Sequence, residues 1–214
     1  MKDLIVFNSI PVSIPKDRVY KRLGYRRDKT RLSSQQRMEI EQYMQEFNNF
    51  IKLKGVAKRI SIKEKNNLEV VLINDVTFES KHLAALLKDC LEVLFMGVTA
   101  GGQIIEQIQK DSSQGNLTKA VVFDAVASEV TDTSLDWICG YINQQLRREN
   151  KCLTRRRFSA GYGDFILENQ KTLYNTLELK KLGVSITESY MLTPEKSVIA
   201  VAGILYRDES SPLK

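Results

Sequence analysis

Apolar positions recur with two different periods along this chain, and each change of period marks an element. Ile40, Tyr43, Met44, Phe47 and Ile51 fall at i, i+3, i+4, i+7 and i+11, one stripe of an amphipathic helix. Ser33 and Ser34 precede the stripe as caps, so a helix is expected from there to about residue 52. A shorter helix is expected over 15–24, closed by Gly24 as the residue after its C-cap. Ahead of it, Leu4 to Phe7 form an apolar strand or arm, and two prolines keep 10–15 extended. The period then shortens. Residues 56–63 and 68–73 are apolar or alternating runs around Glu64-Lys65-Asn66-Asn67, which predicts a hairpin.

Further along, 81–89 is expected as a helix with Leu83, Leu86, Leu87 and Cys90 on one side. The run 91–98 is the strongest buried-strand candidate of the first half, and it leads through Thr99-Ala100-Gly101-Gly102 into a helix over 103–110. Residues 116–149 carry the longest helical pattern. Small residues (Ala120, Ala125, Ala127, Ser128) fill its first half, and Leu135, Ile138, Ile142 and Leu146 stripe the second. It is one helix, or two with a break near Thr131 to Ser134. A helix over 170–181 closed by Gly183 follows. Then 186–192 and 197–206, with Pro194 between them, are expected as an antiparallel pair in the core.

These elements predict an α+β fold: a single domain with a mixed or antiparallel sheet, flanked by helices and by a helical N-terminal arm. The expected division is an arm and helix over 1–55 packing on a body over 56–214. No repeat or low-complexity linker interrupts the chain. With 214 residues, 43% of them hydrophobic, it can bury a core without disulfides or metals. No window approaches eighteen apolar residues, and the first apolar run is broken by Asn8 and Ser9. A soluble, cytoplasmic protein is therefore expected.

Charge changes the picture of partners. The net charge is +6, concentrated between Lys16 and Arg37 and again between Arg147 and Arg157. Such stretches suit an acidic protein, an anionic cofactor or nucleic acid. No helix-turn-helix, zinc-finger or RNA-recognition pattern accompanies them, so nucleic acid is the lesser expectation. Cys90, Cys139 and Cys152 have no metal-ligand spacing, and Cys90 and Cys139 sit in apolar helical patterns. His82 is the one histidine, which excludes a multi-histidine metal site. No carboxylate is placed beside it by sequence, so it reads as a helix-face residue.

Two turns carry candidate chemistry. Thr99 to Gly102, before a helix, can present N–H groups to an anion or serve as a plain strand-to-helix turn. It lacks both the phosphate-loop and the dinucleotide-binding patterns. Arg155-Arg156-Arg157-Phe158-Ser159-Ala160-Gly161-Tyr162-Gly163-Asp164 is richer. An arginine there can grip a carboxylate or phosphate with two parallel N–H bonds, and glycines flanking Tyr162 permit positive φ or close approach of a ligand. Asp164 is expected as the N-cap of the helix that follows.

The same turn carries a resemblance. Arg157-Phe158-Ser159-Ala160-Gly161-Tyr162 resembles the Arg-x-x-x-Gly-Tyr signature of the reactivation domain of cobalamin-dependent methionine synthase. Gly183 to Ser189 is similar to that family's Leu-Thr-Glu-Ser strand, and Met191 to Val198 to its Met- and Pro-containing turn. The likeness spans about residues 115 to 205, with Ala160 where the large enzymes have proline. It implies an S-adenosylmethionine-binding subunit that supports reductive remethylation of cob(II)alamin. Arg157 would pair with the ligand carboxylate, Ser159, Ala160 and Gly161 would line the pocket with backbone groups, and Tyr162 would face the ligand or the corrin. Glu129 and Asp132 lie where the family places a carboxylate near its ligand. The implied partners are a corrinoid-binding methyltransferase that carries the cobalamin and a flavodoxin-type electron donor. The chain is then a subunit of a methyltransferase rather than a complete enzyme. The alternatives are a corrinoid-protein docking or assembly factor without ligand, and a basic nucleic-acid-binding module.

Overall fold

A computed structural model describes residues 4–26 and 28–207. Its centre is an antiparallel sheet in the order β4 (Thr77–Glu79), β3 (Glu69–Leu72), β2 (Lys54–Lys65), β5 (Glu92–Thr99), β9 (Ser197–Tyr206), β6 (Lys151–Leu153), with β1 (Ile5–Phe7) also pairing β2. The expected hairpin is β2–β3, and β5 is the predicted buried strand, every residue of it buried. Alternation along the central strands sends side chains to both faces. Val93, Phe95, Ile199 and Val201 enter one core, whereas Leu94, Met96, Ala200 and Ala202 enter the other.

The second face is covered by α5 (Leu117–Leu146), one continuous helix of 30 residues. No break occurs at Thr131 to Ser134. The hydroxyls of Thr131, Thr133 and Ser134 donate back to the carbonyls of Ala127, Glu129 and Val130. These polar residues therefore bond within the helix instead of competing with it. The first half of α5 packs with α1 (Lys16–Arg22), α2 (Ser34–Phe47) and α4 (Gln103–Ser113) around Met44, Phe47 and Phe123. Ser33 caps α2 in a reciprocal capping box with Gln36, as the sequence suggests, although α2 ends at Phe47.

Three predicted elements are shorter or rearranged. The helix expected over 81–89 is α3 (Lys81–Leu86), and that over 170–181 splits into α6 (Asn169–Thr176) and a 3₁₀ turn, Leu179–Leu182, around Glu178 at φ +51°. The expected pairing of 186–192 with 197–206 is not found. Instead Ser185–Ile186 (β7) pairs with Leu192–Thr193 (β8) in a small ribbon, and β9 pairs with β5 and β6. Tyr190 at φ +63° reverses the chain between β7 and β8, so a run that alternates in part is a turn. Thr99 to Gly102 is a structural turn, in which Gly101 (φ +82°) donates to Thr99 Oγ1 and Ala100 is tied to both Lys52 and Lys196. Among the described residues, no helix is long and apolar enough to cross a membrane.

Candidate functional site

Directly after edge strand β6 the chain turns back over the sheet, and this return builds the site. Phe158 exchanges two backbone hydrogen bonds with Val201 of β9, at 2.8 and 2.7 Å. Phe165 is fully buried, edge-on to Phe78 at 5.5 Å and stacked near Phe158 at 6.0 Å. The six residues between these anchors span a tight loop. Gly161 (φ +91°) and Gly163 (φ +57°) take left-handed conformations that a side chain would strain. Gly161 N–H donates to Phe165 O at 2.7 Å, and Phe165 N–H returns to Tyr162 O at 3.0 Å.

The loop forms one wall of a cleft of about 1420 Å³ whose other walls are α5, the β7–β8 ribbon and the start of β9. Leu135 and Cys139 of α5 line it, as do Ala160, Gln170 and Ser197. Arg157 lies within it. Its Nη1 donates to Asp136 Oδ1 at 2.6 Å and its Nη2 to Asp132 Oδ1 at 3.1 Å. These aspartates are one helical turn apart on α5 and so present both carboxylates on one face. Arg18 of α1 reaches the same pair, 3.2 Å from Asp136 and 3.6 Å from Asp132. One turn earlier, Arg22 Nε donates to Glu129 Oε1 at 2.6 Å. Three arginines thus face three carboxylates along the rim. Burial works against the Arg157 guanidinium, but hydrogen bonds to Asp136 and Cys139 and the nearby carboxylate outweigh it, and its pKa is raised. Burial also pushes the Cys139 thiol up, opposed by Arg157.

Of the residues singled out by sequence, Arg157, Ser159, Ala160 and Tyr162 line the cleft together. Gly161 does not; it shapes the loop from outside, with its N–H already taken by Phe165. Among the described residues, the N–H groups of Ser159 and Ala160 make no hydrogen bond within the chain. Tyr162 is 68% exposed on the lip, and Met191, also exposed, lines the same cleft. Asp132 joins the site, whereas Glu129 faces Arg22 at its edge. Asp136, Cys139 and Arg18 were missed. The i, i+4 spacing of Asp132 and Asp136 within a helix otherwise rich in small and apolar residues is the signal that could have found Asp136.

Asp164 does not cap its own helix. Its carboxylate reaches across to α3, where it accepts from Ser80 Oγ at 2.6 Å, Lys81 N at 2.7 Å and His82 N at 3.3 Å. His82 Nδ1 lies 2.8 Å from Asp164 Oδ1, and because an ionised carboxylate only accepts, Nδ1 carries the proton. The Ser80 hydroxyl, then His82 and the two amides, hold the Asp164 carboxyl well below the usual carboxylate range, against a smaller effect of burial. His82 therefore does have a carboxylate, one that sequence distance hides.

The basic arm is less free than its composition suggests. Lys16 pairs with Glu41, and Arg18 and Arg22 are spent on α5. Arg27 lies outside the described residues. Neither protein-family models nor curated protein sequences give a match to this chain. Among solved structures, the crystal structure of the MetH reactivation domain bound to AdoHcy is similar over 99% of this chain and 80% of its own, with a TM-score of 0.66 and 12% sequence identity. At that identity the likeness establishes a shared fold.

Proposed function

We propose that this chain is an S-adenosylmethionine-binding subunit supporting reductive remethylation of cob(II)alamin on a separate corrinoid methyltransferase such as methionine synthase. The observation that carries the reading is the rim of the cleft, where one guanidinium and two carboxylates meet in a fold shared with an AdoHcy-bound domain. An α-amino acid end group carries one carboxylate and one ammonium. Arg157 suits the first, through donors not used on the aspartates, and Asp132 and Asp136 suit the second. The N–H groups of Ser159 and Ala160 offer further donors, and the apolar floor at Leu135 suits a nucleoside. Tyr162 on the lip would close over the ligand or meet the corrin face.

In this reading the residues of the chain bind and orient, while the methylsulfonium and the partner's corrinoid supply the chemistry. One electron from a flavodoxin-type donor balances the step, in which the sulfur–methyl bond breaks, a cobalt–methyl bond forms and S-adenosylhomocysteine leaves. A docking or assembly factor without ligand is the second reading. It is favoured by one fact: Arg157 is already held by two aspartates. Calorimetric titration of S-adenosylmethionine and S-adenosylhomocysteine into the full chain separates them. Saturable binding with one site supports the first reading; no heat with either ligand, together with retained binding to a corrinoid module, supports the second.

A further inference from the structure

The cleft's loop is fastened at a point remote from the cleft itself. Phe158 and Phe165 fix its ends, but between them Tyr162, Gly163 and Asp164 are exposed or only half-buried. Two glycines there have wide conformational freedom, which a free loop would use. What fixes them is the Asp164 carboxylate, which receives four donors from Ser80, Lys81 and His82. Ser80 itself accepts from Leu83 N–H at 3.0 Å, so the carboxylate and the serine together satisfy the first N–H groups of α3. His82 closes from the other side. A Cβ added at Gly163 would lie 3.0 Å from its Nδ1, and its ring tilts over Phe158 with centroids 6.3 Å apart.

We infer that Asp164 is a positioning residue: by clasping the start of α3 it sets the shape of the Ser159–Gly163 loop and so the placement of Tyr162 over the cleft. The inference rests on the ligand reading above for its consequence, though not for its geometry. The carboxylate touches no part of the cleft. It acts through the two glycines, which would sample other backbone conformations without neighbours to hold them. Ser80 is buried, whereas Lys81 and His82 are exposed; the four donors together fix both the position and the direction of the Asp164 carboxylate.

The test compares wild type, Asp164→Ala, Asp164→Asn and His82→Ala as full chains. Amide hydrogen exchange is followed without ligand at Gly161 and Phe165, whose N–H groups close the loop. Affinity for S-adenosylhomocysteine and the thermal midpoint are measured in parallel. Losing the clasp should speed exchange at these two amides by roughly tenfold in Asp164→Ala. The increase should be smaller in Asp164→Asn, which keeps one acceptor oxygen, and smallest in His82→Ala, which removes one donor group. Affinity should fall in the same order while amides of α5 stay protected. If Asp164 only caps α3, the loss appears at the amides of α3 and in the midpoint, and Gly161 and Phe165 do not change; that outcome overturns the inference. So does an unchanged affinity in a variant whose loop exchange has risen. Should wild type itself fail to bind, the ligand reading falls, and the exchange order alone still decides whether the clasp shapes the loop.

Discussion

Arg157→Ala is the substitution on which the ligand reading stands or falls. A charge-assisted bond to a ligand carboxylate is worth roughly 1.5–3 kcal/mol, or about 10- to 150-fold in affinity. Two features of the site pull the expectation to the low end. Arg157 already bonds Asp136 at 2.6 Å and Asp132 at 3.1 Å, so a ligand carboxylate shares the guanidinium instead of capturing it whole. Removing the arginine also leaves both aspartates to Arg18 alone, and so more available to the ligand's ammonium, which offsets part of the loss. The expected weakening for S-adenosylhomocysteine is therefore about tenfold. Arg157→Lys should recover little of it, since one ammonium lacks the planar fork that reaches two aspartates and a ligand at once. Isothermal calorimetry on the three proteins reads this directly. Their side chains are partly exposed, so the pair itself contributes at most about 1 kcal/mol to folding, and circular dichroism should show an intact fold. Equal affinities for wild type and Arg157→Ala would refute the assignment of this arginine to a ligand carboxylate.

Gly161→Val should abolish S-adenosylhomocysteine binding with the fold retained, because a branched side chain must enter a left-handed backbone at φ +91° with Leu167 Cδ1 only 3.3 Å from its Cβ; undiminished titration in a folded variant would show the loop tolerates it. Arg59, 7% exposed, donates to Glu92 at 2.7 Å and to Glu149 at 2.6 Å. Breaking such a buried pair costs about 3–5 kcal/mol; because Lys151 still reaches both carboxylates, Arg59→Leu should sit near the lower figure and melt about 6–12 °C below wild type. A midpoint within 2 °C or so of wild type would show that the network is dispensable. For pH, the folded-state pKa of Asp164 is depressed, so its contribution to stability is complete above the ordinary carboxylate value of about 4 and is lost as pH falls through the folded value. Asp164→Asn should accordingly be less stable than wild type in urea at neutral pH, with the gap narrowing in acid; a gap independent of pH would rule out the ionised clasp.

The fold was legible where a face is buried along its whole length. Ile40 to Phe47 repeats one helical period against one core, and β2 and β5 alternate strictly between two, so local pattern and tertiary packing agree. It was not legible where backbone conformation overrides the pattern. Ile186 to Leu192 alternates in part, yet Tyr190 at φ +63° turns the chain inside that run. At Thr131 to Ser134 polar residues suggested a break, but their hydroxyls bond back within the helix. For the site, the order Arg157 to Tyr162 was readable because those residues are contiguous. The partners of Arg157 lie 21 and 25 positions earlier, and the clasp on Asp164 comes from 82 to 84 positions away. No local spacing rule reaches across such separations.

The arm that supplies Arg18 and Arg22 has an electrostatic consequence for the cleft. With both in place, Arg18, Arg22 and Arg157 face Glu129, Asp132 and Asp136, three charges of each sign. Lift α1 away and one guanidinium is left against three carboxylates, so this cluster of six side chains changes from neutral to a net charge of −2. The arm is in this sense a tethered pair of counterions, attached to the chain but not to the helix it neutralises. Whatever loosens it makes that stretch of α5 more negative and, under the ligand reading, less favourable to a carboxylate.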